Sequence, residues 1–211
     1  MDTSVNFKSS SPAIVSGDLV DAIENRRTAR EFSSDPISLE QMGLLLWAAQ
    51  GISKTAGKRS SPSAGGMYPV HLYVAVRSVA GIAPGLYAYD AEQTKMDRIL
   101  DEDIQPRLAD AAIGEQLWVK TAAAVVIVTA NVSEMNRHFE TQPPEGQRGA
   151  RYAYIETGAL AQNVHLLASA MNLGMVLVGG FDDAKVKDIL KLPEELEPTA
   201  LLCIGSPCNA N

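Results

Sequence analysis

The sequence predicts an α+β fold, and three observations carry that prediction. Short β-branched runs such as "VHLYVAV" (70–76) and "AAAVVIVT" (122–129) read as strands. Apolar residues at three- and four-residue spacing mark helices, most clearly across 148–171. The two kinds of segment are mixed without the regular strand–helix–strand alternation of a parallel sheet. The 211 residues are 46% hydrophobic and 20% charged, an ordinary globular balance in a chain long enough to bury about 70% of its unfolded surface.

Taken in order, residues 1–17 are Ser-rich and polar and read as a flexible N-terminal arm, which leaves 18–211 as a single domain. Asp18 is a candidate N-cap for a helix over 18–26, with Leu19, Val20 and Ile23 at helical spacing. In "DPISLEQMGLLLWAAQGI", Ser38 and Gln41 have the spacing of a capping box. Leu39, Met42, Leu45, Leu46 and Ala49 follow as an apolar stripe, and Gly51 supplies a stop. The segment "SKTAGKRSSPSAGGMY" (53–68) is a long loop of the kind that is often functional. Strands are expected at 70–76 and at "GLYAYD" and "KMDRIL", which flank the turn "AEQT". A helix over 104–116 and a buried strand over 122–129 come next. "SEMNRHFETQPPEGQRG" reads as irregular, with Pro143-Pro144 opposing a helix. The longest helix, 148–171, has Ala153, Leu160, Ala161, Val164, Leu167, Ala168 and Met171 on its buried face. A strand at 174–178, a helix capped by Asp182 and a strand at 199–204 complete the chain.

Charge and motif content narrow the function. A net charge of -7 argues against a nucleic-acid partner, which calls for a basic face. No run of eighteen apolar residues and no signal-peptide pattern is present, so a cytoplasmic protein without a membrane span is expected. Two cysteines are too few for a disulfide framework. Cys203, in an apolar strand, reads as a small hydrophobe, and Cys208 as incidental. The P-loop, zinc-protease, nucleophile-elbow and dinucleotide fingerprints are all missing. His71, His138 and His165 are scattered and read as structural or surface residues, so no metal is expected.

Three features remain. "ENRRTAREF" (24–32) holds Arg26, Arg27 and Arg30. On a helix, Arg26 and Arg30 would face each other at a cost of a few tenths of a kcal/mol. A bound phosphate would turn that repulsion into shared attraction, with Thr28 adding a hydroxyl donor; solvation with Glu24 and Glu31 nearby explains the cluster equally well. In "SPSAGG" (61–66), Pro62 fixes φ and Gly65-Gly66 opens conformations closed to other residues, so backbone amides could approach a flat ligand; a plain surface turn is the even alternative. In "GMVLVGGFDD" (174–183) a strand ends in Gly179-Gly180 before a capped helix, where N–H groups could meet a ligand. A tight strand-to-helix turn is the commoner meaning of such glycines.

Together with "RRTAREF", "LLLWAAQGI", "SPSAGGMYPVHLYV", "GLYAYD", "RYAYIETGALAQNVHLLASAMNLGMVLVGGFDD" and "LPEELEPTALLCIGSP", in that order, the chain resembles the flavin-dependent nitroreductase family. It looks closest to the branch that contains the azoline (thiazole/oxazole) dehydrogenases. The resemblance implies a mixed or antiparallel sheet flanked by helices, in an intertwined homodimer with two FMN molecules at the interface. By position, Arg26, Arg27 and Thr28 would hold the FMN phosphate and ribityl chain, and Arg30 would lie near the pyrimidine end. Pro62, Ser63, Ala64, Gly65 and Gly66 would line the flavin from the partner subunit, and Gly179 and Gly180 would donate a backbone N–H to it. Gln162 and Asn163 also belong to the family pattern. The implied activity is NAD(P)H-driven, ping-pong reduction of a small organic or quinone-like acceptor, with the flavin carrying the redox chemistry and no separate catalytic side chain.

The chain also departs from that pattern. Gly66 stands where nitroreductases proper usually carry Asn, and Pro144-Glu145 where azoline dehydrogenases carry a Lys-Tyr pair, which argues against peptide azoline oxidation. Many relatives continue past "IGSP" to a basic residue that reaches the phosphate; Lys58 or Arg59 is the candidate substitute here. Two other readings stay open: an FMN-dependent dehydrogenase of a small heterocycle or peptide-derived ring, and a flavin-binding or scaffold dimer without turnover.

Overall fold

The computed structural model describes residues 4–7, 19–54, 57–143 and 148–208. Seven strands form one sheet: β1 (Ser4–Asn6), β2 (Val70–Val76), β3 (Gly85–Asp90), β4 (Lys95–Leu100), β5 (Ala124–Ala130), β6 (Gly174–Val178) and β7 (Glu197–Gly205). Their order is β1-β4-β3-β2-β5-β7-β6, and every neighbouring pair is antiparallel. Seven helices surround it: α1 (Leu19–Asn25), α2 (Leu39–Gln50), α3 (Gln105–Ala111), α4 (Leu117–Thr121), α5 (Val132–His138), α6 (Arg148–Ala170) and α7 (Asp183–Leu190). The expected α+β class and its antiparallel sheet are what the chain forms.

Alternation along the strands makes two cores. Leu72, Val74, Val126 and Val128 face α2 and α6, where they meet Leu45, Leu46, Leu160 and Val164. Ala75, Val125 and Ile127 point the other way, toward Leu108 of α3 and Val186, Ile189 and Leu190 of α7. All seven residues of β5 are buried, as befits a central strand covered on both faces. The capping box on α2 is present, with Ser38 and Gln41 exchanging hydrogen bonds of 3.0 and 2.8 Å. Asp182 caps α7 through the Lys185 N–H at 3.1 Å.

Four expectations change. Ser4–Asn6, read as part of the loose arm, pairs with β4 as an edge strand. The helix expected over 104–116 stops at Ala111, where Ala112 turns extended and bridges Phe181; a turn through Gly114 at φ 81 follows, and a separate short helix, α4, begins beyond the expected span. The stretch read as irregular contains α5, capped by the Asn131 side chain accepting from the Glu134 N–H. The stripe Leu19, Val20 and Ile23 on α1 faces outward, at 54–65% exposure, and Ala22 is the helix's buried residue. Asp18, Pro144 and Glu145 lie outside the described residues.

The α5–α6 contact depends on Gly149. A Cβ there would stand 2.2 Å from the Met135 carbonyl carbon and 2.3 Å from the Asn136 nitrogen, both backbone atoms that cannot swing aside. Gly149→Ala is expected to destabilise the fold by about 1–3 kcal/mol. A urea midpoint equal to wild type would show that α5 yields freely.

Candidate functional site

The arginine cluster lies just beyond α1, on extended chain and not on a helix. Thr28 pairs in parallel with Met175 of β6, and the Ala29 N–H donates to the Met175 carbonyl at 3.0 Å. Farther on, the Ser33 N–H donates to the Ser206 carbonyl at 2.8 Å. Gly174 permits this approach: a Cβ there would sit 2.6 Å from the Ala29 Cβ. The segment borders a cleft of about 720 Å³ lined by Arg27, Thr28, Arg30, His165, Asn172 and Cys208, among others.

Within it, Arg27 Nη1 donates to the Glu24 and Arg26 carbonyls at 2.7 and 2.8 Å, at the C-terminal end of α1. His165 Nε2 lies 3.1 Å from the Arg27 carbonyl oxygen and 3.5 Å from Arg26 Nη1. Burial first, and then the Arg26 charge, hold this imidazole below its ordinary pKa, while the Arg27 carbonyl acts in the opposite direction. The Arg30 guanidinium stands 5.4 Å over the Trp118 ring.

The loop "SPSAGG" is a separate structure. Ala64–Gly66 make a 3-10 turn in which Gly65 and Gly66 take φ 63 and 67, the left-handed region that glycine occupies without strain. A Cβ on Gly66 would meet nothing within 4 Å. The Ala64 N–H donates to Glu156 Oε1 of α6 at 2.8 Å, and the Tyr68 N–H to Ser63 Oγ at 2.8 Å. Asn163 Nδ2 reaches Ser61 Oγ at 3.1 Å and the Ala48 carbonyl at 3.3 Å, so α6 holds the loop at two points.

The glycine corner after β6 is held from below. The Gly180 carbonyl accepts from the Ile113 N–H at 2.8 Å and from Gln116 Nε2 at 3.1 Å. The Asp182 N–H donates to the Ala111 carbonyl at 2.8 Å. A Cβ on Gly179 would meet no atom nearer than Leu177 Cδ2 at 4.0 Å, so this corner is open on its outer side.

The structure therefore gathers some of the predicted residues and separates others. Arg27, Thr28 and Arg30 line the cleft and Arg26 reaches its edge through His165, while Arg30 and Gly180 both rest on the start of α4 and the turn before it, through Trp118 and Gln116. Pro62–Gly66 lie elsewhere. Their anchor Glu156 and the cluster's neighbour His165 are nine residues apart on α6. That is about 13 Å along the axis and roughly half a turn around it. Arg59 is committed to Glu92 at 3.0 Å, the Gln50 carbonyl at 3.1 Å and the Tyr68 ring, away from the arginine cluster. Sequence reasoning missed Glu156, Gln116 and Trp118 and gave His165 no role. Glu156 carries one readable signal, a charged residue on the same helix stripe as Ala153 and Leu160. No His, Cys, Asp or Glu group able to hold a metal occurs among the described residues, and none of their helices is long and apolar enough to cross a membrane.

An open glycine corner, a left-handed glycine loop and a guanidinium–hydroxyl cluster on this α+β scaffold define a class of protein. Residues 23–206 match the nitroreductase family. A nitroreductase-classed protein of Methanocaldococcus jannaschii is 39% identical over 187 residues, covering 89% of this chain and 90% of its own. An NADPH-flavin oxidoreductase of Vibrio harveyi is 30% identical over 115 residues, 52% of this chain and 46% of its own. A nitroreductase-classed crystal structure from Ralstonia eutropha superposes with a TM-score of 0.81 at 25% identity, over 98% of this chain and 90% of its own. The chain belongs to the nitroreductase family of oxidoreductases.

His165 gives a prediction with a definite sign. Between its lowered folded value and the ordinary 6.5 of an unfolded imidazole, the unfolded chain binds more protons, so stability falls as pH drops through that window. His165→Gln should flatten this dependence in urea titrations between pH 5 and 7.5. Part of the slope should survive, because burial also lowers His71. A slope identical to wild type would mean that burial does not lower the His165 pKa.

Proposed function

We propose that this chain is an FMN-dependent oxidoreductase that uses NADH or NADPH to reduce a small organic or quinone-like acceptor. The observation that carries the reading is the cleft in which Arg27, Thr28 and Arg30 converge, beside a histidine whose pKa burial lowers. These donors fit a phosphate-bearing, flat, redox-active ligand. Guanidinium and hydroxyl groups match phosphate oxygens, and the open backbone at Gly66 and Gly179 admits close approach of a ring. Bound there, a flavin would supply two-electron exchange between nicotinamide and acceptor.

The protein's part is to bind and orient. Arg26, Arg27 and Thr28 would hold the phosphate and ribityl chain. Arg30, set by Trp118, would offset negative charge on the ring system. Gly179 and Gly180, pinned by Ile113 and Gln116, would present a backbone N–H. The name of the Vibrio harveyi relative supports a flavin and an NADPH donor. A cytoplasmic location belongs to the same proposal, as does a single domain spanning 18–211.

The separation of Pro62–Gly66 from the arginine cluster supports a site completed by a second copy of the chain. The outward face of α6 is suited to that contact. Tyr154 and Ile155 are 55% and 60% exposed, and a Cβ on Gly158 would meet nothing within 4 Å. Ile155→Glu should convert a dimer to a monomer in light-scattering measurements and lose bound flavin with it. A monomer that retains flavin would overturn the shared site.

The reading is tested by the anaerobic absorption spectrum of the protein loaded with FMN, before and after NADH or NADPH. Bleaching with one donor is the expected result; a protein that takes up no FMN refutes it. Arg26→Ala should weaken FMN binding about tenfold or more, the scale of a charge-assisted hydrogen bond, with little change in the urea midpoint. Unchanged affinity by fluorescence titration would remove Arg26 from the phosphate site.

A further inference from the structure

We propose that Glu156 is a positioning residue of the cofactor site: through the Ala64 amide it fixes the Ser61–Gly66 loop against α6, and the loop's grip on a flavin depends on that carboxylate. The cofactor half of this inference rests on the function proposed above. The latch between helix and loop does not.

Glu156 is an unusual occupant of its position. It is 4% exposed, on the same side of α6 as Ala153, Thr157 and Leu160, where an apolar residue would pack without cost. Taking a carboxylate out of water costs several kcal/mol unless partners repay it. Here Oε1 accepts the Ala64 N–H, and Oε2 is buried without a hydrogen-bond partner among the described residues. Burial raises the carboxyl above the usual carboxylate range, and the Ala64 amide and the Ser63 hydroxyl oppose that rise. Among the described residues, no charged side chain contributes to the balance. The group facing the loop from α5 is His138, whose Nε2 would stand 3.3 Å from a Cβ on Gly65. Tyr152, one turn earlier on α6, donates its hydroxyl to Gln142.

The loop has little else to fix it. The Gly66 N–H donates to the Ser63 carbonyl, the Met67 N–H to the Ala64 carbonyl and the Tyr68 N–H to Ser63 Oγ, all within the loop. Asn163 holds Ser61 at its entry. Among the described residues, the hydrogen bonding that leaves Pro62–Met67 for another element goes to Glu156. A charge-assisted hydrogen bond in a dry setting is short and directional. It locks the peptide of Ala64 immediately before the two left-handed glycines, so the direction in which Gly65 and Gly66 present their amides is set by the helix. Protonation removes the charge assistance and loosens that lock.

The test follows the loop and the ligand separately. In the flavin-free protein, the Ala64 amide resonance in ¹⁵N-correlated NMR should titrate with pH, with a midpoint above the ordinary carboxylate range. It should stop titrating in Glu156→Gln, which keeps an acceptor oxygen but carries no charge. In the holoprotein, the FMN dissociation constant of wild type should rise as pH falls through the same midpoint, and the step at that midpoint should be missing in Glu156→Gln, which keeps only the pH dependence that the FMN phosphate brings. Glu156→Ala should bind FMN about tenfold more weakly at pH 7, with Glu156→Gln as the control if the alanine variant folds poorly. His138→Gln should keep the wild-type profile. An Ala64 amide that fails to titrate, or titrates equally in Glu156→Gln, overturns the latch. A titrating amide with flavin affinities unchanged in both variants overturns the cofactor role. Wild-type protein that takes up no FMN refutes the functional reading and the cofactor role with it, while the amide titration still decides the latch.

Discussion

Two of the three parts of the candidate site, the glycine loop and the arginine segment, are referred to one helix lying on one face of the sheet. β5 is buried along its whole length, so both faces of the sheet must be covered. On one face that cover is α2 and α6. With 23 residues α6 is about 34 Å long, long enough to pass beneath both the glycine loop and the arginine segment. Its apolar residues fix it to the sheet, and its polar ones fix those two segments to it. The loop hangs from Glu156 and Asn163, and the arginine segment rests on His165. The spacing between the halves of the site is therefore set by helix geometry and not by loop conformation.

Close backbone approach does the remaining positioning. Gly174 lets Ala29 lie against the start of β6, and Gly205 lets Phe32 pack within 3.0 Å of where a Cβ would stand. The arginine segment is in effect a short extra rung on the sheet edge, and its guanidinium groups project from a fixed base. Its electrostatics follow from burial. The chain is acidic overall, and the cleft sets Arg27 and Arg30 beside Asp21 and Glu31, while burial lowers the pKa of His165 among them. A neutral imidazole can help satisfy the Arg27 carbonyl without adding another positive charge to a cluster that already repels itself.

The parts of this arrangement that were legible in the sequence are those in which residue type is itself the signal. β2, β3, β4 and β6 have their expected bounds because turn residues punctuate short β-branched runs. The arginines and paired glycines stand out because few structural roles call for them. α5 was hidden by polar composition and the prolines after it, and it buries just Val132 and Met135. The outward stripe of α1 could not be anticipated, because spacing reports which residues share a face and not whether that face is covered. Gln116, Trp118 and Glu156 act through neighbours 64, 88 and 92 residues away in the chain, and no local pattern carries that information.

The geometry of α6 also bears on how many chains a site needs. Glu156 and His165 point to roughly opposite sides of the helix, so the two clusters they organise lie on different flanks of α6 within one chain. In the proposed two-chain site, a second copy would bring its loop to the other flank without travelling around its own α6. Apolar surface is available for that contact: Tyr154 and Ile155 on α6, with Leu19, Val20 and Ile23 on α1, remain exposed in a single chain. Burying them is favourable at roughly 25 cal/mol per Å² of apolar area. The helix that keeps the halves of the site apart within one chain would then join them between two.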